Sequence, residues 1–215
     1  PIFTFAIEKY FFAPNPLENP FPFHFNNLWM HVVCTLFVFL ILTKLGLSRI
    51  AVIIGALLFG IHPMRVESVS WITERKDVLY GMFFLASLFT YIKYATSESS
   101  KTKWYVLTIV LSVFSYFSKI QAVTLPLSML VIDLYLNRNW KNPKILLLEK
   151  MPWWILSLTF GCIHIYFLGL NDSLNSSNAV VSHTFIDKLA IGSYSYAIYI
   201  MKLIFPYKMS PLYPY

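Results

Sequence analysis

Apolar runs separated by short polar breaks organise this 215-residue chain. The runs cover 28–42, 50–61, 78–94, 104–117, 120–136, 152–170 and 185–205, and each is too long and too unalternating for a half-buried strand. Each predicts a helix. With its flanks, a run of this kind approaches the roughly 20 residues that cross about 30 Å of hydrocarbon at 1.5 Å per residue. The second run holds twelve residues and stops at His62-Pro63, so either this span is short or its polar end enters a water-filled cavity. Residues 1–26 hold Pro14, Pro16, Pro20 and Pro22 among seven Phe, too broken for a span. They predict an outer-face interfacial loop with short surface helices, while 27–215 form the transmembrane bundle. Asn26 and Asn27 are expected to cap the first spanning helix, and Pro152 to open the sixth.

Composition agrees with that pattern. The chain is 57% hydrophobic, 18% aromatic and 13% charged, whereas a soluble domain carries about a quarter charged residues. Mean hydropathy is +0.61. A disordered region, a nucleic-acid module and an ordinary water-soluble enzyme are excluded, and the class that survives is a polytopic all-α membrane protein of about seven spans. Cys34 and Cys162 each lie inside an apolar run and read as packed free thiols. The chain opens on Pro1 with neither an initiator Met nor a basic leader, which predicts an internal piece of a longer protein.

Net charge is +7, and the cations sit at segment ends, where they meet lipid headgroups rather than nucleic acid. Loops of one parity hold nine: Lys44, Arg49, Lys93, Lys101, Lys103, Arg138, Lys141, Lys144 and Lys150. The opposite parity holds five: Lys9, Arg65, Arg75, Lys76 and Lys119. The positive-inside rule places the nine on the cytoplasmic side. The polar island 62–77, the Ser118-Lys119 break and 171–182 then share the outer face with 1–26.

The island carries the candidate chemistry. If the residues after Pro63 form one helix, Glu67, Ser70, Glu74 and Asp77 line one stripe, with Arg65, Arg75 and Lys76 beside them. Ionisable groups at membrane depth are costly unless paired or lining a cavity. The alternative is a solvated loop, against which stand His62-Pro63, Trp71 and the spaced apolar residues. Lys119 reads either as a snorkelling side chain or as a phosphate contact. His24, Asn27 and His31 share a helix face, read as hydrogen-bonded packing rather than a metal site. Asp133 is expected to pair with a cation such as Arg138. No nucleotide loop, zinc-protease motif or nucleophile elbow is present.

The string His62-Pro63-x-x-x-Glu67-x-Val69-x-x-Ile72-x-x-Arg75-x-Asp77-x-Leu79 resembles the signature of the transmembrane-and-tetratricopeptide-repeat proteins, polytopic glycosyltransferases of the GT-C type. Phe23-His24 through Leu28 with His31, Ser118-Lys119 before Thr124-Leu125-Pro126, Leu134 after Asp133, and the stretch 206–213 extend the likeness over the whole chain. The resemblance implies transfer of a sugar, typically mannose, from a polyprenyl-phosphate carrier to a protein Ser or Thr on the outer face. On that reading Arg75 and Lys119, with Arg65 and His62 in support, bind the donor beneath one shared pocket, and Glu67 and Asp77 are the catalytic carboxylates. The family's main acid lies in the loop after its first helix. Glu8 and Glu18 are the acids in 1–26, neither in an acidic pair, so the main base is expected ahead of Pro1 and the repeats beyond Tyr215. No cofactor and no metal are indicated, and the lipid-linked sugar is a substrate. Membrane lipids and a protein acceptor are the other expected partners. The expected location is the bacterial inner membrane with a periplasmic site, or the endoplasmic reticulum membrane with a lumenal one. A transporter or flippase-like bundle and a non-catalytic scaffold subunit are the alternatives. A transporter would carry paired broken helices in two related halves, and a scaffold would tolerate loss of the charged cluster.

Overall fold

A computed structural model describes residues 1–12, 19–98, 100–138, 143–170 and 184–207. Ten α-helices follow one another among these residues, with no strand: α1 (Ile2–Phe11), α2 (Phe21–Lys44), α3 (Arg49–Ile61), α4 (Val66–Ser70), α5 (Arg75–Thr96), α6 (Lys101–Ser118), α7 (Leu125–Tyr135), α8 (Pro143–Glu149), α9 (Met151–Leu170) and α10 (Phe185–Ile204). Single 3-10 turns cover Pro63–Arg65, Ile72–Glu74 and Ile120–Thr124. The architecture is an all-α membrane bundle.

The helix positions follow the apolar runs, but the number of spans does not. Among the described residues three helices are long and apolar enough to cross a bilayer: Phe21–Lys44, Ile72–Thr96 and Met151–Leu170. A fourth is obtained if Arg49–Ile61 and Pro63–Ser70, bent by 46° at their junction, count as one. Against the expected seven or so, three or four helices among the described residues meet the length and apolar content of a span. Helix α7 has 11 residues, about 16 Å at 1.5 Å per residue, half the hydrocarbon thickness. Helix α6 begins with Lys101 and Lys103 and spends Thr108, Ser112 and Ser115 on its buried side, which dilutes its apolar content. In α10 the apolar part is confined to Leu189–Ile204.

Helix α2 starts at Phe21 rather than after Asn26 and Asn27. Pro22 falls in the first turn, where no backbone donor is required, so the prolines end at the helix instead of preventing it. Asn27 therefore sits in the second turn of α2 and does not cap it. At the other end Gly46, at φ +80, closes α2. The Gly46 amide donates to the Thr43 carbonyl (3.1 Å) and the Leu47 amide to that of Leu42 (3.3 Å), a Schellman closure. Ser48 then caps α3, accepting from the Ala51 amide at 3.4 Å.

Helix α2 packs against both α3 and α5, and α5 in turn against α6; α2 and α5 run parallel, with Cys34 beside Val78 at one end and Ile41 beside Tyr91 and Ile92 at the other. Glycines let α2 and α3 approach closely. A Cβ at Gly55 would lie 2.8 Å from the Leu42 Cδ1, and one at Gly60 3.1 Å from Thr35. One apolar cluster joins Ile41, Tyr91, Ile92, Leu125, Met129, Ile132 and Trp153 from α2, α5, α7 and α9. A second joins Met30, Cys34, Val78 and Leu79 where α2 meets α5, so Cys34 packs as expected. Cys162 instead faces outward on α9.

Between α5, α6 and α9 runs a seam of small polar residues. Ser87 Oγ and Ser112 Oγ are 2.8 Å apart, Thr108 donates to Thr90 (2.9 Å), and the Trp153 indole donates to Ser112 (2.8 Å). In an apolar surrounding such hydroxyls hold helices together by satisfying one another, since lipid offers them no partner.

Candidate functional site

The island is folded by two interruptions. His62 is extended (ψ 129), as a residue before proline tends to be, and its Nδ1 accepts from the Met64 amide at 3.2 Å. Its Nε2 then donates to the carbonyl of Leu203 at 3.0 Å, tying the end of α10 to the island. Trp71 is extended as well (φ −83, ψ 114), and helix resumes only at Arg75. The single helical stripe expected from Glu67 to Asp77 is thus broken at Trp71. Glu67 and Ser70 are exposed, and Glu74 pairs with Lys76 at 3.1 Å.

Around the interruption the Trp71 carbonyl already accepts from the Glu74 amide at 3.0 Å, and Asn27 reaches both it and the Val69 carbonyl. Its fully buried amide nitrogen lies 3.4 Å from the oxygens of both Val69 and Trp71. The Asn27 Oδ1 accepts from the Arg75 Nε at 2.8 Å, so one side chain of α2 joins the break to the start of α5.

Arg75 has no exposed surface. Its Nη2 donates to the Phe23 carbonyl at 2.8 Å, and its Nη1 lies 2.5 Å from the Glu8 Oε1. The Phe5 and Phe23 rings lie 4.2 and 5.9 Å from the guanidinium carbon, close enough for the ring faces to favour the charge. Asn26 donates to the same Glu8 oxygen at 2.7 Å. Arg75 was expected to open toward a donor phosphate, and the structure instead encloses it. Glu8 and Asn26 are the residues that sequence reasoning missed. The one signal was a single carboxylate, Glu8, in a mostly apolar, aromatic α1, which demands a cationic partner if that face is buried.

Lys119 and Asp77 do meet. The Lys119 ammonium donates to the Asp77 Oδ1, and the Asp77 Oδ2 accepts from the Ser68 hydroxyl at 3.4 Å. Their side chains are 23% and 27% exposed, so this pair remains open to a ligand where Arg75 does not. Lys119 gets there because it is extended (φ −157, ψ 144) between α6 and the Ile120–Thr124 turn. Arg75 and Asp77 are two residues apart, about 200° around a helix of 3.6 residues per turn, and face different neighbours. The shared Arg75–Lys119 pocket is therefore corrected to two charge centres on either side of α5. Arg65 is exposed, with its guanidinium 4.9 Å from the Phe59 ring, which stacks on His31 (5.6 Å, 24°).

Among the described residues no three His, Cys, Asp or Glu side chains gather in a way that could hold a metal. His24 is exposed, while the His31 Nε2 lies 2.9 Å from the Gly60 carbonyl where α2 packs on α3.

A third charge centre lies at the opposite end of the bundle. Asp133 and Lys150, both without exposed surface, form an ion pair. The Tyr91 hydroxyl donates to the same carboxylate at 2.7 Å, and Arg138 approaches it at 3.5 Å, the local pairing expected of Asp133. Arg138 also binds Glu149 at 2.8 Å. Burial alone would lower the Arg138 pKa, but the hydrogen bond and charge of Glu149 outweigh it and raise the pKa above the ordinary arginine value. Lys150, counted with the loop cations, is a core residue instead.

The chain is similar to several protein O-mannosyl-transferases. It is 29% identical to protein O-mannosyl-transferase TMTC3 of Mus musculus over 127 residues, 58% of this chain and 14% of that protein. To TMTC4 of Homo sapiens it is 32% identical over 142 residues, 57% of this chain and 19% of the relative. To tmtc2 of Xenopus laevis it is 38% identical over 88 residues, 40% of this chain and 10% of the relative. Over these stretches the chain is TMTC-like. It spans less than a fifth of the length of these relatives. No family model matches the chain, and no solved structure does. The TMTC-like assignment agrees with the resemblance read from the His62–Leu79 string and with an integral membrane protein.

Proposed function

We propose that this chain is the membrane part of a glycosyltransferase that moves a sugar, mannose, from a polyprenyl-phosphate carrier to a Ser or Thr hydroxyl of a protein. The observation that carries the reading is the partly exposed Lys119–Asp77 pair beside the interrupted island. The names of the O-mannosyl-transferases it resembles supply the reaction class. The donor presents an anionic phosphate at the membrane surface, and Lys119 is the cation there with an open side. Asp77 positions the ammonium, and Ser68 and the exposed Arg65 border the approach. In the reaction the acceptor oxygen attacks the sugar's anomeric carbon and the bond to the carrier phosphate breaks. The phosphate leaves with added negative charge, which Lys119 stabilises. The hydroxyl proton passes to a carboxylate; Glu67 is the exposed one on the island, while Asp77 is engaged by Lys119. The end that carries most of the loop cations faces the cytoplasm and the island faces outward.

In the full-length protein, Lys119→Gln should lower mannosyl transfer from a polyprenyl-phosphate donor to a Ser/Thr peptide by about 10²-fold, and Lys119→Arg should restore part of it. Transfer unchanged by Lys119→Gln removes the mechanism. A second reading has its own observation: Arg75 and Lys119 both already hold carboxylate partners, as they would in a non-catalytic scaffold. A scaffold predicts no transfer in the wild-type protein and none lost on substitution.

A further inference from the structure

Helix α9 runs alongside α6 in the same direction, and their contacts advance in step. The Trp153 indole donates to Ser112, the Ser157 Oγ lies 2.8 Å from the Tyr116 hydroxyl, and the Phe160 ring centre is 5.3 and 5.0 Å from those of Tyr116 and Phe117. Ser157 also donates to the Val123 carbonyl at 3.0 Å, so the Ile120–Thr124 turn rests on the same face of α9. Trp153, Ser157 and Phe160 form one helical stripe, which Gly161, His164 and Leu168 continue toward Leu170.

The first part of that stripe is covered, and at Gly161 and His164 it lies open. Helix α6 ends at Ser118, while α9 continues past it. A Cβ at Gly161 would meet no atom within 4 Å. His164 is exposed and makes no hydrogen bond or ion pair among the described residues. An imidazole at membrane depth is costly unless it is paired or lines a cavity, and a face meant for lipid alone would be served better by leucine.

Depth decides what His164 can meet. It lies four residues past Phe160, about 6 Å along the helix axis. Lys119 lies two residues past Phe117 and is extended, so it stands about 3–6 Å beyond that ring. Because Phe117 and Phe160 touch, the imidazole and the Lys119–Asp77 pair are at nearly the same level. Lys119 enters the Ile120–Thr124 turn and reaches to α5, while α9 packs against the turn itself. The turn exposes Gln121 and Thr124.

We infer that His164, with Gln121 of the turn, forms a subsite for the hexose of the donor whose phosphate Lys119 holds; this rests on the proposed transferase reading. A glycosyl phosphate carries its sugar directly on a phosphate oxygen, so a phosphate at Lys119 sets a hydroxyl-bearing ring beside it at the level of His164. A sugar hydroxyl both donates and accepts. A neutral imidazole offers one donor and one acceptor, and the glutamine amide two donors and an acceptor oxygen. The open space at Gly161 gives the ring room. Lys119 holds what the loaded and the spent carrier share, and His164 and Gln121 hold what only the loaded one has. The spent carrier phosphate, with no sugar to bind, is then released in favour of a fresh donor.

The test uses the full-length protein in detergent and compares, by native mass spectrometry, farnesyl phosphate with farnesyl phosphoryl mannose. The wild-type protein should bind the mannosylated ligand about five- to ten-fold more tightly, as one or two added hydrogen bonds allow. His164→Leu should remove most of that preference and leave farnesyl phosphate binding as it was, whereas Lys119→Gln should weaken both ligands alike. Gly161→Leu, which enters open space, should remove the preference by obstruction. Should His164→Leu fail to fold, Gln121→Ala at the exposed turn carries the same comparison. Equal wild-type binding of the two ligands overturns the inference. So does a His164→Leu protein that keeps the preference, or one that loses both ligands equally. If His164→Leu and Gly161→Leu lower the midpoint of thermal unfolding while the preference persists, the face is covered by protein and the subsite does not exist. Failure of the transferase reading looks different: the preference is present and depends on His164, yet the wild-type protein transfers no mannose to a Ser/Thr peptide.

Discussion

Asn27 of α2 and Arg75 of α5 are joined by a 2.8 Å hydrogen bond across 48 positions of sequence, and the same Asn27 amide faces the carbonyls of Val69 and Trp71 beside the break. One buried side chain thus ties a cation and a backbone interruption to a single helix. No apolar residue of that size could do so, because the guanidinium Nε and the Val69 carbonyl would lose this polar partner away from water.

Asn27→Leu should therefore destabilise the bundle by at least about 2 kcal/mol, since it strands part of a buried charge as well as the Val69 carbonyl. Thermal unfolding in detergent would check this. The companion His24→Leu, at an exposed position one turn earlier, should change the midpoint little.

The Asp133–Lys150 pair gives a second prediction. Both side chains are fully buried, so Lys150→Met should cost about 3–5 kcal/mol by leaving Asp133 short of its closest cation. The double variant Asp133→Leu with Lys150→Met should recover much of that loss, because no unpaired charge remains. Equal destabilisation by the single and double variants would show that shape, not charge compensation, governs the site. On the proposed transferase reading, sugar transfer should follow stability here, as the pair lies at the far end of α5 from the island.

Helix α3 is held against α2 through Gly60. A Cβ there would press on Thr35 at 3.1 Å, and β-branching would worsen the crowding. Gly60→Val should cost about 1–3 kcal/mol by overpacking. It should also disturb the 2.9 Å contact of His31 with the Gly60 carbonyl. Gly60→Val combined with Thr35→Ala should be closer to wild type than Gly60→Val alone, as thermal melts would reveal.

Orientation can be read by labelling. In a Cys162→Ser background, Glu67→Cys on the island should react with a membrane-impermeant maleimide in intact cells. Ser100→Cys, exposed between α5 and α6, should react only after permeabilisation. The reverse pattern would invert the topology and place the Lys119–Asp77 pair on the cytoplasmic side.

The sequence by itself determined where the helices lie and that they belong in a membrane. Apolar runs, Gly46 and Ser48 at one turn, and the His62-Pro63 stop are local signals, because helix formation and termination depend on residues within a turn or so of each other. It also showed that the island and Lys119 are chemically unusual. Only the tertiary structure decided what each charge does. Arg75 and Asp77 look equivalent along the chain, yet one is enclosed by Glu8 and Asn27 while the other holds the half-open Lys119. Lys150 resembles a loop cation until Asp133 meets it in the core. In each case the deciding partner comes from a distant part of the chain, and burial, which sets the value of a charge, exists only once the helices have packed.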